Sequence, residues 1–287
     1  MQRVELSNAI WKLALLPAWG GRIASLSAEG LEVLQPITSE SFDPLDWPRA
    51  GGYPLFPYSN RIRDGRLAFK GVEHRLPAHH AALPHTLHGV SHTLPWQVVS
   101  AAADGALIRC DYRGEHWPWA FRAEQAFVLE GNRLRITLRL VNQGDTPMPA
   151  GLGLHPYFQR HPGMRVEYRV GREWQIDTDY LATGDYQDAP KTLHIAADKG
   201  ESVAHYQSRW DGKVRVDYPQ GRLELHSDLT HMVAFAPAGS SYLCLEPVSH
   251  LADAFNRPRA EWAEVGTHEL APGEALESTL AFIWHGR

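Results

Sequence analysis

Cysteine is scarce, with two residues in a chain of 287, Cys110 and Cys244. Each sits in a run with strand character, so no disulfide framework is expected and a reducing, cytoplasmic compartment is. Basic runs are absent and the formal net charge is −5, which argues against a nucleic-acid partner. No apolar stretch reaches the length of a membrane span, and the opening Met1-Gln-Arg-Val-Glu-Leu6 has no apolar leader core. A soluble protein that binds neither membrane nor nucleic acid is therefore expected. Linkers and low-complexity tracts are missing too. Residues 1–287 are read as one domain, a length that a single all-β sandwich can fill.

Histidine and tryptophan, in contrast, are plentiful, at sixteen and ten. Tryptophan joins a large apolar face to one polar handle, which suits a ligand of mixed polarity as well as a core. The order of apolar and polar residues is that of short strands. Ile10–Leu16, Ile23–Ala28 and Leu31–Leu34 are separated by glycine turns, and Leu67–Leu76 reads as a hairpin turning at Lys70-Gly71. The clearest signal is Phe121–Leu129 followed by Arg133–Val141. There Leu134, Ile136, Leu138 and Leu140 share one face and Arg133, Arg135, Thr137 and Arg139 the other. Met148–Leu154, Lys213–Tyr218, Arg222–Ser227, Met232–Ala236, Tyr242–Glu246 and Thr279–Trp284 continue the pattern, and only Val248–Asn256 suggests a helical turn or two. The fold class is all-β, a large antiparallel β-sandwich with long loops on one side.

Three stretches carry chemistry. In Gly151-Leu-Gly-Leu-His-Pro-Tyr-Phe158, alternating glycines permit a close approach of backbone or ligand, and Pro156 is expected to end the strand at His155. In Tyr242-Leu-Cys-Leu-Glu246, a carboxylate closes an apolar strand ahead of Pro247, where burial raises its pKa. His155 and Glu246 together form the acid and base that proton transfer requires. Third, Gly51–Ile62 is too rich in proline and glycine for a helix or a central strand, yet it carries Tyr53, Phe56 and Tyr58. It is expected to be a loop lining a cleft and delivering Asn60 and Arg61. A histidine packed at a strand end and an arginine paired for structure are the plainer readings of the same residues. The histidines between His79 and His92 lack a completed metal motif, although His88 and His92 have zinc-compatible spacing; Gly89 after His88 permits a turn that exposes the ring.

The ordered set Pro57-Tyr-Ser-Asn-Arg-Ile62, Leu87-His-Gly89, Leu154-His-Pro-Tyr-Phe158 and Leu245-Glu-Pro-Val-Ser-His250, followed by Phe255-Asn256, resembles the aldose 1-epimerase (galactose mutarotase-like) family over essentially the whole chain. That resemblance implies a large antiparallel β-sandwich and an enzyme that interconverts sugar anomers without cofactor or metal. By position, Glu246 corresponds to the catalytic base, His155 to the general acid, and His88 to a second active-site histidine. Arg61 and Asn60 correspond to the substrate-binding pair, and Tyr157 and Trp210 complete the expected substrate contacts. One departure stands out. The family's aspartate, shortly before a Trp-Asp-Gly such as Trp210-Asp-Gly212, falls at Ala204. His205, Gln207 or Arg209 would have to replace it, or the sugar differs. An anionic sugar, bound by Arg63, Arg66 or Arg209, is one such alternative. A sugar sensor without turnover and a metal enzyme using the His79–His92 cluster are the rivals. Sequence names neither the sugar nor the oligomeric state. It also leaves open which of Trp47, Trp117, Trp119 and Trp210 stacks on substrate, and whether Ser39–Trp47 forms a lid.

Overall fold

The computed structural model describes residues 3–39 and 41–287. Met1 and Gln2 of the opening segment and Glu40 of the Ser39–Trp47 loop lie outside the described residues.

Alternation builds the sheet. Strands Phe121–Glu130 and Arg133–Asn142 pair antiparallel with Leu129 opposite Leu134. Leu134, Ile136, Leu138 and Leu140 are completely buried, while Arg135 and Arg139 on the other face reach Glu130 and Glu124. Strand Arg133–Asn142 then pairs with Ala275–Gly286, and that strand with Gly221–Ser227. Among the described residues, eighteen strands join in this way into one antiparallel sheet. It wraps a core that includes Trp11, Trp117, Phe121, Phe127, Phe158 and Phe282. This is the expected all-β sandwich. Helix among the described residues is confined to single turns. The longest regular one is Trp262–Val265, and the turn expected within Val248–Asn256 forms at Ala254–Asn256.

Three local expectations are corrected. The run Met148–Leu154 divides, so that Met148–Ala150 pairs with His268–Leu270 while Gly153–Gln159 enters the large sheet. The break falls at Gly151, where any Cβ would overlap the His250 ring. Second, Gly52–Leu55 is a strand inside the sheet, not a loop, and it lies between Arg22–Ala28 and Gly153–Gln159. Pro54 is tolerated because pairing on the outer edge is limited to Ile23 with Gly52. Third, neither His155 nor Glu246 ends a strand. Strands Gly153–Gln159 and Tyr242–Val248 run through Pro156 and Pro247, and their mutual ladder lapses between Gly153 and Tyr157. Both prolines occupy that gap, where the absent N–H costs nothing.

Candidate active site

Strand register assembles the site. Gly153 faces Val248 and Tyr157 faces Cys244, which sets His155 directly opposite Glu246. Tyr53 flanks His155 on one side, and Val233 and then Tyr206 follow Glu246 on the other. A second row contains Tyr157, Cys244 and Phe235. Because side chains two apart share a sheet face, these two rows form the floor of one cavity of about 250 Å³. Loops raise its walls, with Trp47 and Arg49 from one segment, Asn60, Arg61, Leu87 and His88 from two others, and Tyr180 from a fourth.

His155 Nε2 stands 3.3 Å from Glu246 Oε1, and both side chains are buried. Tyr53 and Tyr157 stack against the imidazole with ring centroids 4.6 and 4.7 Å away, fixing its orientation. Burial pushes the Glu246 carboxyl well above the ordinary carboxylate range, opposed only by the Arg61 guanidinium. Burial likewise holds the His155 imidazolium far below its usual value, assisted by the positive charge of Arg49. With both groups disfavoured as ions, the pair holds a single proton near neutral pH. His88 is a buried neutral ring, held so by desolvation first and then by neighbouring histidines. Its Nδ1 accepts from the Asn60 N–H at 3.1 Å, which leaves the ring proton on Nε2. His88 and Gly89 both adopt left-handed backbone, and a Cβ on Gly89 would overlap the Phe56 carbonyl oxygen. Only glycine permits the turn that presents His88. Several buried polar atoms here have no partner within the described residues, namely His155 Nδ1, Arg61 Nε and Tyr53 Oη. Other orphans, such as Trp11 Nε1 and Trp117 Nε1, lie in the main core, whereas these three belong to cavity-lining residues, where a ligand's polar groups can meet them.

The aldose 1-epimerase family model matches residues 2–282. The chain belongs to that family. It is 28% identical over 246 residues to the uncharacterized protein YphB of Escherichia coli strain K12, covering 81% of this chain and 83% of that one. A candidate aldose 1-epimerase structure from Escherichia coli K12 superposes with a TM-score of 0.86 at 25% identity, covering 100% and 99% of the two chains. A galactose mutarotase-like protein from Clostridium acetobutylicum gives 0.86 at 19% identity, covering 99% and 95%, and so shares the fold.

Within this epimerase-family fold, Glu246, His155, His88, Arg61, Asn60 and Tyr157 all line the cavity. Trp210 does not. It is buried in the main core, and its Nε1 donates to the Lys213 carbonyl. Trp117 and Trp119 are core residues as well, while Trp47 lines the cavity and donates from Nε1 to Tyr157 Oη at 3.0 Å. None of the residues expected to replace the family's aspartate faces the cavity. His205 bonds to Glu173, Gln207 points to the opposite sheet face from Tyr206, and Arg209 pairs with Glu264 and Asp188. Tyr206, beside Asn60, faces the cavity from that strand instead. Sequence reading passed over Arg49, Tyr206, Tyr180 and Cys244, and only the alternation of Tyr206 with its neighbours offered a signal. In the His79–His92 segment, Nδ1 of His79, His85 and His88 each accepts a backbone N–H, from Ala81, Asp64 and Asn60 respectively, while both ring nitrogens of the buried His92 lack a partner within the described residues. The group able to hold a metal ion among the described residues is instead His155, Cys244 and Glu246, with ligand atoms within 4.8 Å of one another.

Proposed function

We propose that this protein is an aldose 1-epimerase that interconverts the α and β anomers of a sugar by opening and reclosing its ring. The carrying observation is the buried, facing pair His155 and Glu246 on the cavity floor. One proton between two groups is what the reaction needs, since it consumes one proton and returns one. In the productive form Glu246 is the carboxylate and His155 the imidazolium. Arg61, the cation that opposes the upward shift of Glu246, favours that form, as do the hydroxyls of a bound sugar. Glu246 takes the proton of the C1 hydroxyl while His155 gives its proton to the ring oxygen O5. The C1–O5 electron pair moves to O5, and a carbonyl forms at C1. Half a turn about C1–C2 presents the other carbonyl face, and the same two groups run the steps in reverse. The His88 Nε2–H, Asn60 and Arg61 hold hydroxyls so that the open chain stays positioned. No cofactor is needed for this sequence of steps.

Anomer exchange followed by NMR on a panel of aldoses, for wild type and Glu246→Gln, tests the proposal. Accelerated exchange on at least one sugar, lost in the variant, is expected. Exchange that survives Glu246→Gln would overturn the assignment of the base.

A further inference from the structure

The charges of the cavity do not balance. The chain as a whole is negative, yet the cavity is lined by Arg49, Arg61 and a single carboxylate, Glu246. Behind the floor lies a third cation, the completely buried Arg22, with its guanidinium 4.6 Å from the Tyr53 ring. Arg63, Arg172, Arg209 and Arg257 each pair with an Asp or Glu. Arg49 and Arg61 make no such pair among the described residues. Arg49 extends over the Trp47 ring at 5.1 Å, beside the Tyr157 and Tyr242 phenols, with the residue itself exposed. An open guanidinium on a concave aromatic wall, in a cavity of net positive charge, draws and holds an anion.

Its place along the sugar follows from the proposed reaction, on which this step rests. Arg49 lies over Trp47, whose indole donates to Tyr157 on the His155 strand, and Arg61 lies over Tyr180, which packs on Phe235 of the strand beyond Glu246, so the two arginines stand toward opposite ends of the catalytic pair. Glu246 addresses the hydroxyl on C1 and His155 addresses O5. Past O5 and away from C1, the ring continues to C5, which carries C6. We propose that the cavity selects an aldopyranose with an anionic group on C6, whether phosphate ester, sulfonate or carboxylate, and that Arg49 is the residue that recognises it. The arginines first considered for this task are elsewhere. Arg63 and Arg209 are paired, and Arg66 lies on the Arg66–Phe69 strand, outside the cavity lining.

The test compares anomer exchange of glucose and galactose with their 6-phosphates, 6-sulfonates and uronic acids. Wild type should favour one anionic class, and the favoured class identifies the group. Arg49→Gln should reduce kcat/KM for that class relative to the neutral sugar by roughly 10- to 100-fold, with Arg49→Lys intermediate. Neutral sugars turned over as well as anionic ones, or an anion preference equal in wild type and Arg49→Gln, would overturn the proposal. Calorimetric binding of the 6-phosphates, 6-sulfonates and uronic acids to Glu246→Gln, with and without Arg49→Gln, separates the two ideas. Arg49-dependent binding without exchange on any sugar would remove the epimerase reading and retain the anion subsite. Absence of Arg49-dependent binding would remove the subsite.

Discussion

Replacing Glu246 with glutamine should abolish turnover and also stabilise the protein, by an amount that grows with pH. Burial raises the Glu246 carboxyl from 4.5 to about 8. The folded state therefore keeps a proton that the unfolded chain releases, so stability is full below the unfolded value of 4.5 and falls as pH rises toward 8. Each pH unit in that window costs up to about 1.4 kcal/mol. At pH 7 the carboxyl accordingly costs on the order of 3 kcal/mol, and at pH 5 less than about 1 kcal/mol. Glutamine has the same shape and does not titrate. For a chain of this length, with roughly 2 °C of Tm per kcal/mol, the variant should gain about 4 °C on wild type between pH 5 and pH 7. Calorimetric Tm values for both proteins across that range supply the comparison. Only the difference between them is read, because every other titrating group is common to both. A difference that stays flat with pH would refute burial as the source of the carboxyl's shift.

Three further outcomes are expected. The pH profile of kcat/KM should be a broad bell, because burial lowers His155 and raises Glu246. A second proton is then gained only well below 6.5 and the single proton lost only well above 4.5; an acid limb centred at 6.5 would contradict the reading. Zn²⁺ should inhibit by occupying His155, Cys244 and Glu246, whose donor atoms cluster, with chelator restoring activity and Cys244→Ser weakening the effect. Equal inhibition of the serine variant would exclude the thiol as a ligand. Gly89→Ala should cost about 1–3 kcal/mol, since Gly89 has a φ of +67° and no room beside the Phe56 carbonyl. An unchanged Tm would show that the His88 turn can relax.

Strand alternation made the all-β class legible, and it placed the core faces of strands such as Arg133–Asn142 correctly. His155 and Glu246 were legible as chemistry because a histidine and a carboxylate in apolar runs need a reason to be there. Their setting was not. Proline read as a stop signal, whereas here two prolines occupy one lapse between neighbouring strands. Strand Arg165–Ile176 escaped reading because the charged Arg172 interrupts its apolar series at a buried position, just where the pairing with Ala182–Ala196 shifts register. Arg49 and Tyr206 escaped for a different reason. They reach the cavity through a loop path and through register summed over several strands; alternation assigns Tyr206 a sheet face, but no local pattern encodes which cavity that face meets. Trp210 misled in the opposite direction. It sits near the place of a family contact yet packs into the core, its indole N–H satisfied by the Lys213 carbonyl.

His155 and Glu246 face each other across adjacent strands inside the sheet, not across loops. Their separation is tied to the spacing of paired backbones, which the protein cannot alter without unfolding. The loops that carry Arg49, Arg61, His88 and Tyr180 are under no such restraint. Under the proposed function, mutation can therefore explore new sugars by changing these loops while the proton chemistry stays fixed beneath them. A family built on this plan can diversify in what it accepts without having to reinvent how it reacts.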